Sequence, residues 1–219
     1  MIPFIYPYKR KENDFILLES VRLVRELYPN APIFTVGDSV EGIDNIPFKD
    51  SYQIRGCNVT AKCLYVADLF KDFVYMNDDF IINDRYDLSK VYGGNEELER
   101  KEGKASIAWQ QAVDNTKHFL KHNGFNTLTY ECHQPVVFNS ELLVHTMDLI
   151  EWKNNNHFIK SLYFNINEPT KVIPMENTKL KEFKEHKANT LLNIYGCLSV
   201  SHTFLANGGA EYLKGLSNT

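Results

Sequence analysis

The chain has 219 residues, a net charge of −4, 43% hydrophobic and 24% charged residues, which fits one α/β core of ordinary globular composition and offers no overall attraction to nucleic acid. Its four cysteines lack metal-ligand spacing, which argues against a disulfide scaffold or a zinc module and for reduced thiols in a cytoplasm. No apolar run approaches the roughly 20 residues of a membrane span, and Pro3, Pro7 and Lys9-Arg10-Lys11 break any signal-peptide core, so the expectation is a soluble protein without a transmembrane segment.

Residues 2–8 read as a buried first strand closed by Pro7. Asn13 or Asp14 caps a helix over residues 15–28, where Ile16, Leu17, Val21, Val24, Leu27 and Tyr28 recur at helical spacing. Pro29-Asn30-Ala31-Pro32 stops it, and Ile33-Phe34-Thr35-Val36 forms a second strand ending at Gly37-Asp38. This β-α-β order predicts a parallel pair with a right-handed crossover. Ligands bind outside the carboxyl ends of such strands, so Tyr6, Tyr8, Asp38 and the later Asp78-Asp79 are expected on one edge. Ile46-Pro47-Phe48 adds an edge segment. Asn58 or Thr60 starts a helix through residues 61–70, and Lys62 or Arg55 on this segment is placed to neutralise a phosphate.

Phe73-Val74-Tyr75-Met76 reads as a buried strand that stops at Asn77-Asp78-Asp79 and turns apolar again at Phe80-Ile81-Ile82. Two adjacent carboxylates at a strand mouth are costly unless a positive group sits beside them. Mg²⁺ or Mn²⁺ answers that need, because hard cations take oxygen ligands and retain substrate phosphates. Residues 84–104, with Gly93-Gly94 and the charge run Glu97-Leu98-Glu99-Arg100-Lys101-Glu102, read as a solvated mobile loop or a lid over a bound ligand. A helix spans 107–122 and ends at Asn123-Gly124; Trp109 and Gln110 on it face a core or a sugar. His133-Gln134-Pro135 is a rigid turn, and a helix runs over about 140–152. His133, near neutral in pKa, and Glu131, on the same face of an extended segment, are the candidate bases, or His133 is bonded to backbone. Lys179, Lys181, Lys184 and Lys187 alternate with Glu182 and Glu185 as a solvated helix face. Residues 193–201 form a last strand, with His202 just beyond it.

Tyr75-Met76-Asn77-Asp78-Asp79-Phe80 resembles the acidic metal motif of GT-A-fold glycosyltransferases, most nearly that of Stealth-type capsular sugar-phosphate transferases, which also carry a His-x-Pro segment like His133-Gln134-Pro135 further on. The acidic first-strand motif of the Stealth proteins is absent, residues 2–8 standing in its place, which favours glycosyl over sugar-phosphate transfer. The resemblance implies a Rossmann-like α/β fold, a mostly parallel sheet flanked by helices, in one domain over 1–219. Residues 1–83 would form the nucleotide-sugar half and 104–219 a helical acceptor side. It further implies that Asp78, Asp79 and a late His202 hold Mn²⁺ or Mg²⁺. Tyr6, Tyr8, Asp38, Lys62, Asn77 and Asp78 would contact a nucleotide-sugar donor, with Asn77 supporting the turn or the ribose. The acceptor implied is a glycan or a hydroxylated base in phage DNA. The competing readings are a sugar-1-phosphate transferase and a catalytically silent nucleotide- or glycan-binding module. The motifs set no oligomeric state.

Overall fold

The computed structural model describes residues 1–94, 96–100 and 106–217. Strand β1 (Phe4–Tyr8) leads through helix α1 (Phe15–Leu27) to β2 (Ile33–Gly37) and the short β3 (Asp44–Pro47); α2 (Arg55–Ala67) then leads to β4 (Asp72–Tyr75). Past the acidic turn come β5 (Phe80–Ile82), β6 (Val91–Tyr92), α3 (Ile107–His122), β7 (Val136–Asn139), α4 (Ser140–Asp148) and α5 (Ile159–Ile166). The chain closes with β8 (Val172–Ile173), β9 (Lys179–Leu180), α6 (Glu185–Tyr195), β10 (Cys197–Val200), a 3-10 turn at His202–Leu205 and α7 (Gly209–Gly215).

The central sheet has the order β3-β2-β1-β4-β7. Its first four strands are parallel and β7 runs antiparallel along β4, with Tyr75 opposite Val136 and Asp72 opposite Asn139. A second sheet, β5-β10-β9, joins the strand after the acidic turn to two strands from the end of the chain. Helix α1 binds the two layers together. Its Leu17, Val21 and Val24 enter the core on the central sheet, while Ile16 and Leu23 enter a second core with Ile81, Leu198, Val200 and Phe204. The expected α/β architecture, mostly parallel with flanking helices, is the one observed.

Several local expectations shift, each for a visible reason. Helix α2 starts at Arg55 rather than at residue 61, because Asn58 does not cap it. The Asn58 side chain accepts from the backbone N–H of Ser51 and Tyr52 (3.1 and 2.9 Å) and so closes the preceding loop. Asp14 leaves the α1 cap to Asn13, whose side chain accepts from Phe15 N (2.7 Å), because the Asp14 carboxylate is taken by the Tyr8 hydroxyl. Val136-Val137-Phe138-Asn139 becomes a strand rather than a lead into helix, since a β-branched run after Pro135 can pair with β4. The last strand is shorter than 193–201: Ile194 and Tyr195 finish α6, and Gly196 ends it at φ +70. A Cβ there would stand 2.2 Å from Tyr86 N, so only glycine allows the close approach.

The stretch read as a mobile loop is anchored at its described residues; 95 and 101–105 lie outside them. Tyr86 and Tyr92 are buried and stacked, the Tyr86 hydroxyl donates to Pro135 O (2.6 Å), and Leu98 is buried. Lys179, read as part of a helix face, lies in β9 instead, while Lys184 and Lys187 do belong to the start of α6.

Candidate active site

Strand order reverses between β1 and β4, since the chain builds outward through β2 and β3 on one side and through β4 on the other. At such a switch point the segments leaving adjacent carboxyl ends diverge and open a crevice. Lys9-Arg10-Lys11 leaves β1 here, Gly37-Asp38 leaves β2, and Asn77-Asp78-Asp79 leaves β4. The convergence expected of these carboxyl ends is met. Asp38 Oδ2 accepts from Arg10 N (2.7 Å), and Asp38 N donates weakly to Tyr8 O (3.4 Å). Gly37, at φ +116, permits this crowding: a Cβ there would meet Tyr8 O at 2.4 Å and Lys62 Nζ at 2.8 Å.

The acidic turn is held from below and from one side. Phe80 N donates to Asn77 O (3.2 Å), closing the turn, and the Asn77 side chain accepts from the Tyr75 hydroxyl (2.6 Å). Beneath it, Tyr6 and Ser20 share a hydrogen bond (2.9 Å), and Ser20 donates to Phe80 O (2.5 Å). On the β10 side, Val200 N donates to Asp79 O (3.0 Å) and Ser199 Oγ to Asp79 Oδ2 (3.1 Å). The two carboxylates are then neutralised by lysines: Lys11 donates to Asp78 Oδ2 and Lys179 to Asp79 Oδ2. Asp79 Oδ1 is buried and has no hydrogen-bond partner.

That orphaned oxygen bears on whether a divalent cation suits the site. Two hard carboxylates, one with an oxygen left over, are a donor set that Mg²⁺ or Mn²⁺ completes with waters and phosphate oxygens. The third expected ligand is not gathered with them. His202 is exposed at the start of the 3-10 turn, and among the described residues no group of three or more His, Cys, Asp and Glu is arranged to hold a metal. The carboxylate pair fits the cation; the histidine adds nothing to it in this conformation.

The other predicted residues divide into reachable and buried. Asp38 is exposed on the edge, and Asn77 is half-buried in the turn. Tyr6 is buried and committed to Ser20; Tyr8 is buried and committed to Asp14, and burial pushes both phenols far above their usual pKa. Lys62 is also buried, donating to Tyr8 O (2.9 Å) and pairing with Asp50 (2.9 Å), so it braces β1 from inside instead of facing a phosphate. Arg55 is exposed at the head of α2, and Trp109 packs on Phe158.

His133 and Glu131, though two residues apart, have different surroundings. His133 is half-buried at φ +59, a left-handed conformation a non-glycine residue adopts only when its surroundings impose it. What imposes it is Thr178, whose hydroxyl donates to Cys132 O (3.1 Å) or His133 O (2.8 Å). Thr178 also precedes Lys179, so the histidine turn is tethered to the lysine that holds Asp79. Glu131 instead caps helix α5. Its Oε1 accepts from Ser161 N (3.2 Å) and Oγ (3.1 Å), and its Oε2 lies 4.0 Å from the buried Lys160 ammonium. No side chain of the N-cap residue Phe158 serves that helix end, so Glu131 fills a structural vacancy.

Lys11, Ser20, Thr178, Lys179 and Ser199 escaped the sequence reading. Lys11 carried a signal, as a cation just past the first strand on the binding edge. Lys179 had none, being 100 residues from the carboxylate it meets. A cavity of about 720 Å³ lies elsewhere, toward the amino ends of β1 and β4, lined mainly by apolar residues including Ile2, Phe4, Tyr28, Val74 and Phe164. It lacks the convergent charges of the crevice, and volume alone does not outweigh them.

No protein-family model matches the chain, and no curated protein matches it. Solved structures do. One is a glycosyltransferase involved in glycosylating the major capsid of PBCV-1, with 10% identity over 98% of this chain and 99% of that one at a TM-score of 0.49. Another is an active-site mutant of LgtC, also a glycosyltransferase, with 12% identity over 97% of this chain and 94% of that one at a TM-score of 0.50. With its sheet order, its acidic turn at the switch point and this end-to-end likeness to LgtC, the chain has a glycosyltransferase fold of the GT-A type.

Proposed function

We propose that this protein is a glycosyltransferase that moves a sugar from a nucleotide-diphosphate sugar to a hydroxyl acceptor, with a glycan as the acceptor class. The observation that carries the reading is the Asp78-Asp79 turn at the β1/β4 switch point, with a buried Asp79 oxygen left for a ligand. In this reading Asp78 and Asp79 hold Mn²⁺ or Mg²⁺, which when bound supplies Lewis-acid neutralisation of the leaving diphosphate. Asp38, exposed beside Arg10, accepts from ribose hydroxyls or base N–H groups. His133, on its strained turn, takes the acceptor's proton or donates to the donor. Glu131 is withdrawn as a base, because its carboxylate is occupied by α5. Among the described residues no helix is long and apolar enough to cross a membrane. The four free, buried thiols fit a reducing, cytoplasmic setting.

The test is binding and turnover with a panel of nucleotide sugars, with and without Mn²⁺, on the wild type and on Asp79→Ala. We expect one nucleotide sugar to raise the melting temperature only with the cation, and the variant to lose that response while folding normally. Hydrolysis or transfer that is unchanged in Asp79→Ala sinks the assignment. Appearance of sugar-1-phosphate on the acceptor would select the phosphotransfer alternative, and binding without turnover the silent module.

A further inference from the structure

The donor-site reading leaves two residues without a role, and they are the ones in contact with its carboxylates. Lys11 and Lys179 reach Asp78 and Asp79 from distant segments, one past β1 and the other on β9. We propose that these two lysines are exchangeable counter-ions, which neutralise the aspartates in the free protein and pass to the donor's diphosphate when it binds. The inference rests on the crevice being the donor site.

The comparison with two other lysines of the molecule separates a fixed ammonium from an exchangeable one. Lys62 and Lys160 have side chains only 4% and 5% exposed, and each also donates to a backbone carbonyl, Tyr8 O and Gln134 O. Leaving such a site strands a buried charge. Lys11 and Lys179 have side chains 32% and 26% exposed and donate only to their aspartates. Pairs this open to water are weak and screened, and a lysine's flexible four-carbon stem lets its ammonium swing without moving backbone. A diphosphate offers the lysines more charge and more acceptor oxygens than one carboxylate does.

Charge balance gives the exchange its direction. Two carboxylates and two ammonium groups sum to zero, so the free turn is neutral. A diphosphate brings about two negative charges, and a divalent cation brings two positive ones. If the cation goes to the carboxylates, the ammonium groups are released to the phosphates and every charge stays paired. The orphaned Asp79 Oδ1 is already present to receive the cation. The lysines therefore compete with the cation in the free protein and cooperate with it once the donor is present.

This reversal of sign is the test. Calorimetry on the full chain would follow Mn²⁺ alone, then UDP, GDP, CDP and ADP at saturating Mn²⁺. Lys179→Met and Lys11→Met should each tighten Mn²⁺ alone by several-fold and weaken the nucleoside diphosphate that the wild type binds by about tenfold. The double variant should weaken it by about a hundredfold, and Lys179→Arg should retain most of the affinity. Melting curves check folding; if either Met variant unfolds, Lys179→Gln and Lys11→Gln carry the same expectations. Unchanged nucleoside diphosphate affinity in the variants, or Mn²⁺ binding that does not tighten, overturns the exchange and leaves the donor site standing. A wild type that binds none of the four nucleotides overturns the donor site itself, and the exchange with it.

Discussion

Asp79 and Glu131 are carboxylates near the same buried tyrosine: both help to raise the pKa of the Tyr75 phenol, after the larger effect of its burial. They differ in what holds them. Glu131 is bonded to a helix end and sits beside a buried ammonium, partners that belong to rigid structure and cannot leave. Asp79 is bonded to a serine hydroxyl and a part-exposed lysine, and one of its oxygens is buried without a partner. A buried acceptor left open has a cost, whereas a capped helix end recovers one. The lesson is that a carboxylate's partners, rather than its proximity to a crevice, sort ligand-binding groups from structural ones.

The comparison can be broken most directly by neutralising each side. Asp78→Asn should cost at least about a thousandfold in turnover, near 4 kcal/mol of activation free energy, and less than about 1 kcal/mol of stability. Glu131→Ala should do the reverse. Loss of the α5 cap and of the partner of Lys160 should lower unfolding stability by about 3 kcal/mol in urea titration, with turnover per folded molecule nearly unchanged. If Glu131→Ala instead stayed stable and lost turnover, the sorting by partners would be wrong.

His133→Asn sharpens the contrast, because asparagine tolerates the left-handed φ and keeps hydrogen bonding but does not titrate near neutrality. We expect turnover to fall by roughly a hundredfold and the melting temperature to move little, with the acidic limb of the pH–rate profile abolished. An equal pH profile in the variant would leave His133 a structural turn residue.

The smallest effect is a control on a histidine with no part in the proposed chemistry. Burial lowers the His157 pKa from its usual 6.5 to about 4, and its Nδ1 has no partner. The folded state therefore holds His157 neutral where the unfolded chain would protonate it. Its contribution is intact above about pH 6.5 and is lost as pH falls toward 4, by about 2 kcal/mol at pH 5. His157→Gln should flatten the stability difference between pH 7.5 and 5. His118, His122 and Glu151 line the same cleft and remain in both proteins, so the difference isolates His157.

Much of the fold was legible in the chain because its signals are local. The 3.6-residue period of α1 and the span 107–122 of α3 are stated by consecutive side chains, and proline and glycine mark the stops. The Phe73–Met76 run followed by two aspartates locates the acidic turn for the same reason: a hydrophobic strand and the charges at its end are neighbours in sequence. What β7 does is not local, since four residues adopt a strand only if an edge is free to pair with them. The partners of the carboxylates are less local still. Lys179 meets Asp79 because β9 lies beside β10 and β10 beside β5, and Glu131 becomes a cap because α5 happens to present an empty N-terminus to it. Sequence alone determined which residues carry charge at the mouth of a strand; tertiary structure decided which of those charges are spoken for, because hydrogen-bond partners are assigned by distance in space, and side chains a hundred residues apart have no shared pattern to announce it.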